Sequence, residues 1–251
     1  MIDWKPLLKK WAMRSPIVRS VGAALIRTCE AGRSYKWNHL YFYREENVLG
    51  DLQRDEALFL FALARVLRPR TVVEFGFLRG HSTFNLLQSV SPDCNVFSYD
   101  IEPSSQEIAK SQFARFPNFH FILKSQTDFS RDDINRAVVD LCFLDASHDF
   151  ELNKVTFTKL IESVSDESVI VVHDTGTWAK SFFKPLNQSY AVNNPEGWLG
   201  ESEFQHCRGE RQFVNWVLDQ HPEFQEIHLH STRTLRNGFT MLQRRHKLRT
   251  D

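Results

Sequence analysis

The feature that most constrains this chain is a rhythm. Between Thr71 and Asp174, five short apolar runs alternate with stretches of helical character: "TVVEFGF" (71–77), "NVFSYDI" (95–101), "FHFILKS" (119–125), "VDLCFLDA" (139–146) and "ESVIVVHD" (167–174). Helices are expected near 81–90, 104–116, 130–137 and 149–164. Strand, crossover helix, strand is the pattern of a parallel sheet. Strands so uniformly apolar need both faces covered, which fits a doubly wound sheet better than an open antiparallel one.

The flanks complete the pattern. "DLQRDEALFLFALARVLR" (51–68) places acids in its first turn, apolar residues at 58, 59, 61, 62, 63 and 66, and Arg65 and Arg68 at its end, as the helix dipole favours; Pro69 stops it. After the fifth run, residues Thr175 to Glu203 hold Pro185, Asn193, Asn194, Pro195 and Gly197 among Trp178, Phe182, Phe183, Tyr190 and Trp198. A segment this long inside a compact domain reads as a lid. A helix near 208–220 follows, then "FQEIHLHS" (224–231) and "GFTMLQRR" (238–245) around Asn237 and Gly238, an antiparallel finish. The expected architecture is α/β: a doubly wound, Rossmann-like, seven-stranded and mostly parallel sheet with an antiparallel C-terminal pair. An N-terminal helical cap segment (1–50) precedes the main domain (51–245, lid at 175–203), and a short tail (246–251) ends the chain.

Composition narrows the function classes. A 251-residue chain that is 42% hydrophobic can bury a sizeable core. Its 31 basic and 31 acidic side chains cancel, so overall charge gives no support to a nucleic-acid partner. Nor do "HSTRTLRNG" and "QRRHKLR" form a larger basic stripe with interleaved aromatics. Residues 1–36 hold eight Lys or Arg against Asp3 and Glu30, a local charge of +6, with Trp4, Leu7 and Trp11 interleaved. Such a segment suits peripheral membrane contact or a protein partner, although a solvated helical face explains it as well. Cys29, Cys94, Cys142 and Cys207 form no C-x-x-C pair, so neither zinc knuckle nor disulfide framework is indicated. No run of 18 apolar residues and no signal-peptide core is present, and a cytoplasmic protein is expected.

Chemistry concentrates at the strand ends. "VVEFGFLRGHST" leaves strand one past Glu74, turns through Gly76 and Gly80, and enters a helix near His81 or Ser82. Phe77, Leu78 and Arg79 follow Gly76, so G-x-G-x-x-G is not met, and no phosphate loop exists. Twenty residues past Gly80, Asp100 ends the second strand, where a carboxylate can accept from two ribose hydroxyls. Ligands of doubly wound sheets sit beyond the carboxyl ends of the strands. Asp145 and His148, after strand four, therefore share a crevice with His173, Asp174 and Thr175, after strand five. Two carboxylates from neighbouring strands can hold a hard cation such as Mg²⁺, and a histidine can accept the proton of an attacking hydroxyl. Plainer roles exist for each residue: Asp145 as a helix cap, His148 in a turn, His173 packed, Asp174 organising its turn. Their convergence on one crevice favours the functional reading.

The spacing E-x-G-x-x-x-G, with an acid ending strand two, resembles class I S-adenosylmethionine-dependent methyltransferases over about residues 51–245, including the terminal antiparallel pair. The resemblance implies Glu74, Gly76 and Gly80 along the methionine part of the cofactor and Asp100 on its ribose. It implies Ile101 against the adenine and Gln126 and Asp128, in "SQTDF", near it; Ser82 and Asp145 complete the implied cofactor-binding set. The D-x-x-H of Asp145 and His148, with Asp174 after strand five, resembles metal-dependent O-methyltransferases that modify sugars on natural products, including macrolide tailoring enzymes. This implies metal at Asp145 and Asp174, with His148 as base and His173 beside it. Thr175 departs from the pattern, since related enzymes often place Asp or Asn there. The expected activity is O-methylation of a small hydroxylated acceptor in natural-product biosynthesis, with homo-oligomerisation left open. Two alternatives stand beside it: a non-catalytic scaffold of the same fold, and a metal-dependent hydroxylase resembling the cephalosporin hydroxylase relatives.

Overall fold

The computed structural model describes Leu52 and residues 54–179, 198–200, 204–230 and 238–245. The chain divides into units Met1–Leu49 and Gly50–Asp251, and every described residue belongs to the second. The cap segment 1–50 with its basic stretch, the lid aromatics Phe182, Phe183 and Tyr190, Asn237 and the tail 246–251 lie outside the described residues.

Helix α1 (Arg54–Leu67) opens with Asp55 and Glu56 and closes with Arg65, complementing the helix dipole at both ends. Then come β1 (Thr71–Phe75), α2 (His81–Ser89), β2 (Asn95–Asp100), α3 (Pro103–Gln112), β3 (Phe119–Leu123), β4 (Val139–Leu144), α4 (Phe150–Leu160) and β5 (Val164–His173). The chain continues through β6 (Thr177–Ala179), β7 (Trp198–Gly200), β8 (Phe204–Cys207), α5 (Arg208–Gln220), β9 (Phe224–Leu229) and β10 (Phe239–Arg244). Seven strands form one sheet in the order β3-β2-β1-β4-β5-β10-β9. Strands β1 to β5 run parallel, and β10 is antiparallel to both β5 and β9. This is the expected α/β sheet with its antiparallel finish.

Burial follows the sequence pattern. All five residues of β1 and the last six of β5 are buried, as strands covered on both faces must be. Phe75, Tyr99 and Phe129 pack together, and a second aromatic group of Phe157, Phe213, Trp216 and Phe224 ties α4 and α5 to β9. Each fully buried ring contributes about 1.5–3 kcal/mol relative to exposure.

Two expectations need correction. The helix expected at 130–137 is only a 3₁₀ turn, Arg131–Ile134, because Asn135 and Arg136 both adopt left-handed φ (54° and 56°), which an α-helix excludes. The segment 175–203 is not wholly a loop: β6 and β7 flank β8 in a separate antiparallel sheet. Among the described residues, no helix is long and apolar enough to cross a membrane.

Register creates the site. Phe75 pairs with Tyr99 on one side and Leu144 on the other, and Leu144 pairs with Val172. The next residue along each strand, Gly76, Asp100, Asp145 and His173, therefore forms one row across the carboxyl edge of the sheet. Gly76 N–H to Tyr99 O (3.0 Å) and Asp145 N–H to Phe75 O (2.9 Å) extend the ladder into that row.

Candidate active site

Toward one end of the row lie Asp100 and the loop after β1. Gly76 has φ 101°, and a Cβ there would lie 2.3 Å from the Asp145 carbonyl oxygen. The glycine is thus required by the exit of β4 itself, a reason separate from the ligand approach expected of it. Gly80 (φ 80°) lies against the Phe113 and Phe77 rings. Asp100 pins the loop between them: Leu78 N–H donates to its Oδ2 (2.7 Å), and Glu102 N–H donates to its Oδ1 (2.9 Å). A carboxylate offers about four lone-pair sites, so roughly two remain for incoming hydroxyls.

Glu74 is fully buried. The Thr83 and Ser98 hydroxyls donate to its Oε2, while Oε1 has no hydrogen-bond partner. Burial pushes its pKa up to about 7, against the restraining hydroxyls of Ser82, Ser98 and Thr83, with the Asp145 charge adding to the rise. Ser82 is buried beside it in the first turn of α2. The adenine candidates are dispersed. The Gln126 amide donates to Asn153 and Thr156 of α4 (both 2.9 Å), whereas Asp128 is exposed and Ile101 retains 64% of its surface.

At the other end, six ionisable side chains meet. His173, which ends β5, faces Asp145 Oδ1 through Nδ1 (2.9 Å) and Glu56 Oε2 through Nε2 (3.3 Å). Asp174 Oδ1 stands 3.5 Å from the same Nδ1. Carboxylates can only accept, so donation from both ring nitrogens defines an imidazolium. Burial opposes that charge most strongly, but Asp145, Asp174 and Glu56 prevail and raise the His173 pKa well above its ordinary range. His148 Nδ1 is hydrogen-bonded to Glu210 Oε1 and lies 3.7 Å from Asp174 Oδ2. Asp174 takes a left-handed φ of 56°, a strained conformation for a residue with a Cβ. Its carboxyl is raised to about 6, first by burial, against the lowering influence of His173 and His148.

Exposure separates reactive edge from support. His148, Asp145 and Asp174 keep 32%, 23% and 21% of their side chains exposed, against 4% for His173, 3% for Glu210 and none for Glu56. Asp145 is not the cap of α4; Asp149 is, accepting from Leu152 N–H. Thr175 does not face the cluster, because it is fully buried and its hydroxyl accepts from Thr240 of β10 (2.9 Å). One donor atom each from Asp145, His173 and Asp174 lie within 4.8 Å of one another, close enough to share a cation. Glu56 and Glu210 were absent from the sequence reading; the first belongs to α1 and the second to the first turn of α5.

Comparison with known proteins bears on the fold that carries this geometry. Residues 73–175 match the family model described as "Methyltransferase domain". The O-methyltransferase of Bacillus cereus, solved with SAH, superposes with a TM-score of 0.56 at 18% identity, over 79% of this chain and 84% of its own. TomG of Streptomyces achromogenes, an O-methyltransferase of tomaymycin synthesis solved with SAM, gives 0.53 at 19% identity over 83% and 86%. The uncharacterized protein y4gI of Sinorhizobium fredii is 29% identical over 128 residues, 45% of this chain; the match spans only 14% of that relative's length. Residues 73–175 are thus similar to a methyltransferase domain, and the sheet that holds them has the fold of the solved O-methyltransferases.

Proposed function

We propose that this chain transfers the methyl group of S-adenosylmethionine to a hydroxyl oxygen of a small acceptor, a sugar or other natural-product hydroxyl. The observation that carries the reading is the row of strand ends, with Asp100 two strands from Asp145 and with His148 and Asp174 grouped beyond it. When bound, the cofactor supplies an electrophilic methyl carbon on a sulfonium. Asp100 accepts from the ribose hydroxyls with the lone pairs its two backbone donors leave. Buried, orphaned Glu74 Oε1 fits a polar group of the methionine part. His148 takes the acceptor's proton as the new C–O bond forms and the C–S bond breaks, its electron pair remaining on sulfur.

A divalent cation would fit the same edge, held by Asp145 and Asp174 and, on displacing the Nδ1 proton, by His173 Nδ1 as nitrogen donor; Glu56 would back the imidazole as carboxylates back metal-bound histidines. It would favour the ionised acceptor hydroxyl. A nitrogen donor suits Mn²⁺ or Zn²⁺ better than the Mg²⁺ expected of two carboxylates alone. A cytoplasmic setting belongs to the same reading, and the described cysteines Cys94 and Cys142 are free and buried.

The test is calorimetric titration of S-adenosylmethionine into wild type and Asp100→Ala. Losing charge-assisted hydrogen bonds to ribose, each worth roughly 1.5–3 kcal/mol, weakens binding about 100-fold or more. Undiminished affinity in the variant refutes the cofactor assignment. Transfer of labelled methyl to a panel of monosaccharides, glycosides and phenols then identifies the acceptor class.

A further inference from the structure

Helix α5 is set against the turn after β4 more closely than a residue with a Cβ would allow. A Cβ at Gly209 would lie 1.7 Å from the His148 carbonyl oxygen and 3.2 Å from Asp149 N, so only glycine permits the approach. The next residue, Glu210, is buried and directs its carboxylate to His148 Nδ1. Both residues fall outside the region matched by the methyltransferase family model. The other carboxylate near that nitrogen, Asp174 Oδ2, stands at 3.7 Å, beyond hydrogen-bond reach.

We infer that Glu210 is the positioning residue for the base: it holds the proton of neutral His148 on Nδ1, leaving the lone pair on Nε2 and fixing the plane of the ring. The inference deepens the methyl-transfer reading and rests on it for the meaning of the base. The arrangement itself is independent of that reading. An imidazole has one acceptor nitrogen in its neutral form, and the bond made by the other nitrogen decides which one it is. A carboxylate on Nδ1 admits only the tautomer with Nδ1–H. With Glu210 almost fully buried, its charge-assisted bond is short of competing water and holds a side chain that is itself one-third exposed. The close approach at Gly209 brings the carboxylate to the ring by the rigid start of a helix rather than by a loop.

The experiment is long-range ¹H–¹⁵N NMR of the imidazole nitrogens, recorded on the full chain from about pH 6 to about pH 10 so that the neutral ring is sampled. The His148 signals are identified by their loss in His148→Asn. In wild type, His148 shows a protonated Nδ1 and an unprotonated Nε2; in Glu210→Ala this preference is lost and Nε2–H becomes the main form. A wild-type His148 carrying its neutral-form proton on Nε2 overturns the inference without any Glu210 variant. Retention of Nδ1–H in Glu210→Ala also overturns it, by assigning the bond to Asp174. Calorimetric titration of S-adenosylmethionine on the same samples separates the two levels. Binding with the wrong tautomer removes Glu210 and keeps the methyltransferase, whereas the expected tautomer without binding does the reverse.

Discussion

Replacing Glu74 by Gln tests whether the interior beneath the loop after β1 carries a proton. Glu74 is fully buried, and its pKa rises from the ordinary 4.5 to about 7, chiefly because burial penalises the charged form. A carboxyl raised in the folded state stabilises that state fully below pH 4.5, and the contribution disappears as pH climbs through about 7. At about 1.4 kcal/mol per pH unit, the loss amounts to roughly 3 kcal/mol. Glutamine keeps an oxygen for the Thr83 and Ser98 hydroxyls but carries no titratable proton. Its NH₂ enters the place of the partnerless Oε1, at a cost of about 1–3 kcal/mol that does not vary with pH. The absolute stability of the variant is therefore less informative than its pH dependence. Urea denaturation at steps from about pH 4 to about pH 8 should show the stability of Glu74→Gln relative to wild type rising by about 3 kcal/mol, with the midpoint of the change between 4.5 and 7. Titrating groups that do not interact with Glu74 cancel in the difference; Asp145, whose charge adds to the rise, contributes a smaller part of it. A difference that stays flat within about 0.5 kcal/mol, or one that falls with pH, would mean that Glu74 enters the fold already ionised.

The remaining outcomes concern the row of strand ends and its supports. His148→Ala should lower methyl transfer by about 10²–10⁴-fold with S-adenosylmethionine affinity unchanged, measured as initial rates and by titration; an unchanged rate removes it as the base. Gly76→Ala combines φ 101° with a methyl 2.3 Å from the Asp145 carbonyl, so it should cost about 3 kcal/mol or more in denaturation experiments, and a loss under about 1 kcal/mol would contradict the packing reason given for it. Glu56→Ala strips the His173 imidazolium of its Nε2 partner in the interior, and a destabilisation of about 3–5 kcal/mol near neutral pH is expected. A smaller effect would show His173 to be neutral, with Asp145 alone accounting for its bond.

The sheet was legible because its strands satisfy a requirement that leaves a local trace: five apolar runs, each short, each separated by a helix-length stretch. Where tertiary context set the outcome, the sequence pattern misled. Residues 130–137 have helical composition, but the left-handed Asn135 and Arg136 stop the turn at Ile134. The strands at 177–179, 198–200 and 204–207 leave little trace because each is three or four residues long, and β6 finds its partner, β8, more than twenty residues along the chain. Asp145, His148, His173 and Asp174 were legible as a group for the same reason as the strands, since each sits a fixed step past an apolar run. "SQTDF" follows β3 as expected; what the sequence does not reveal is that the Gln126 NH₂ donates to Asn153 and Thr156, partners that only the packed helix α4 supplies, while its Oε1 is buried with no hydrogen-bond partner.

Glu56 and Glu210 escaped for an instructive reason. Each occupies the first turn of a helix, where an acid is favoured by the dipole and attracts no further question. Their phase along the helix tells more. In α1 the buried positions are Ala57, Leu60, Phe61 and Ala64, and Glu56 lies four residues before Leu60 on the same stripe. In α5 the buried positions are Phe213, Val214 and Val217, and Glu210 precedes them by three, four and seven. A dipole-stabilising acid needs only to be near the helix start and gains nothing from facing the core, where desolvation would penalise it. An acid that is both in the first turn and on the apolar stripe must therefore have an internal partner. Among the described residues, Glu56 and Glu210 are such acids, and they meet the two histidines of the cluster, one on His173 and one on His148. Both glutamates lie outside the matched residues 73–175, so that stretch supplies the strand ends, Asp145 included, while the helices flanking it each supply one carboxylate to an imidazole.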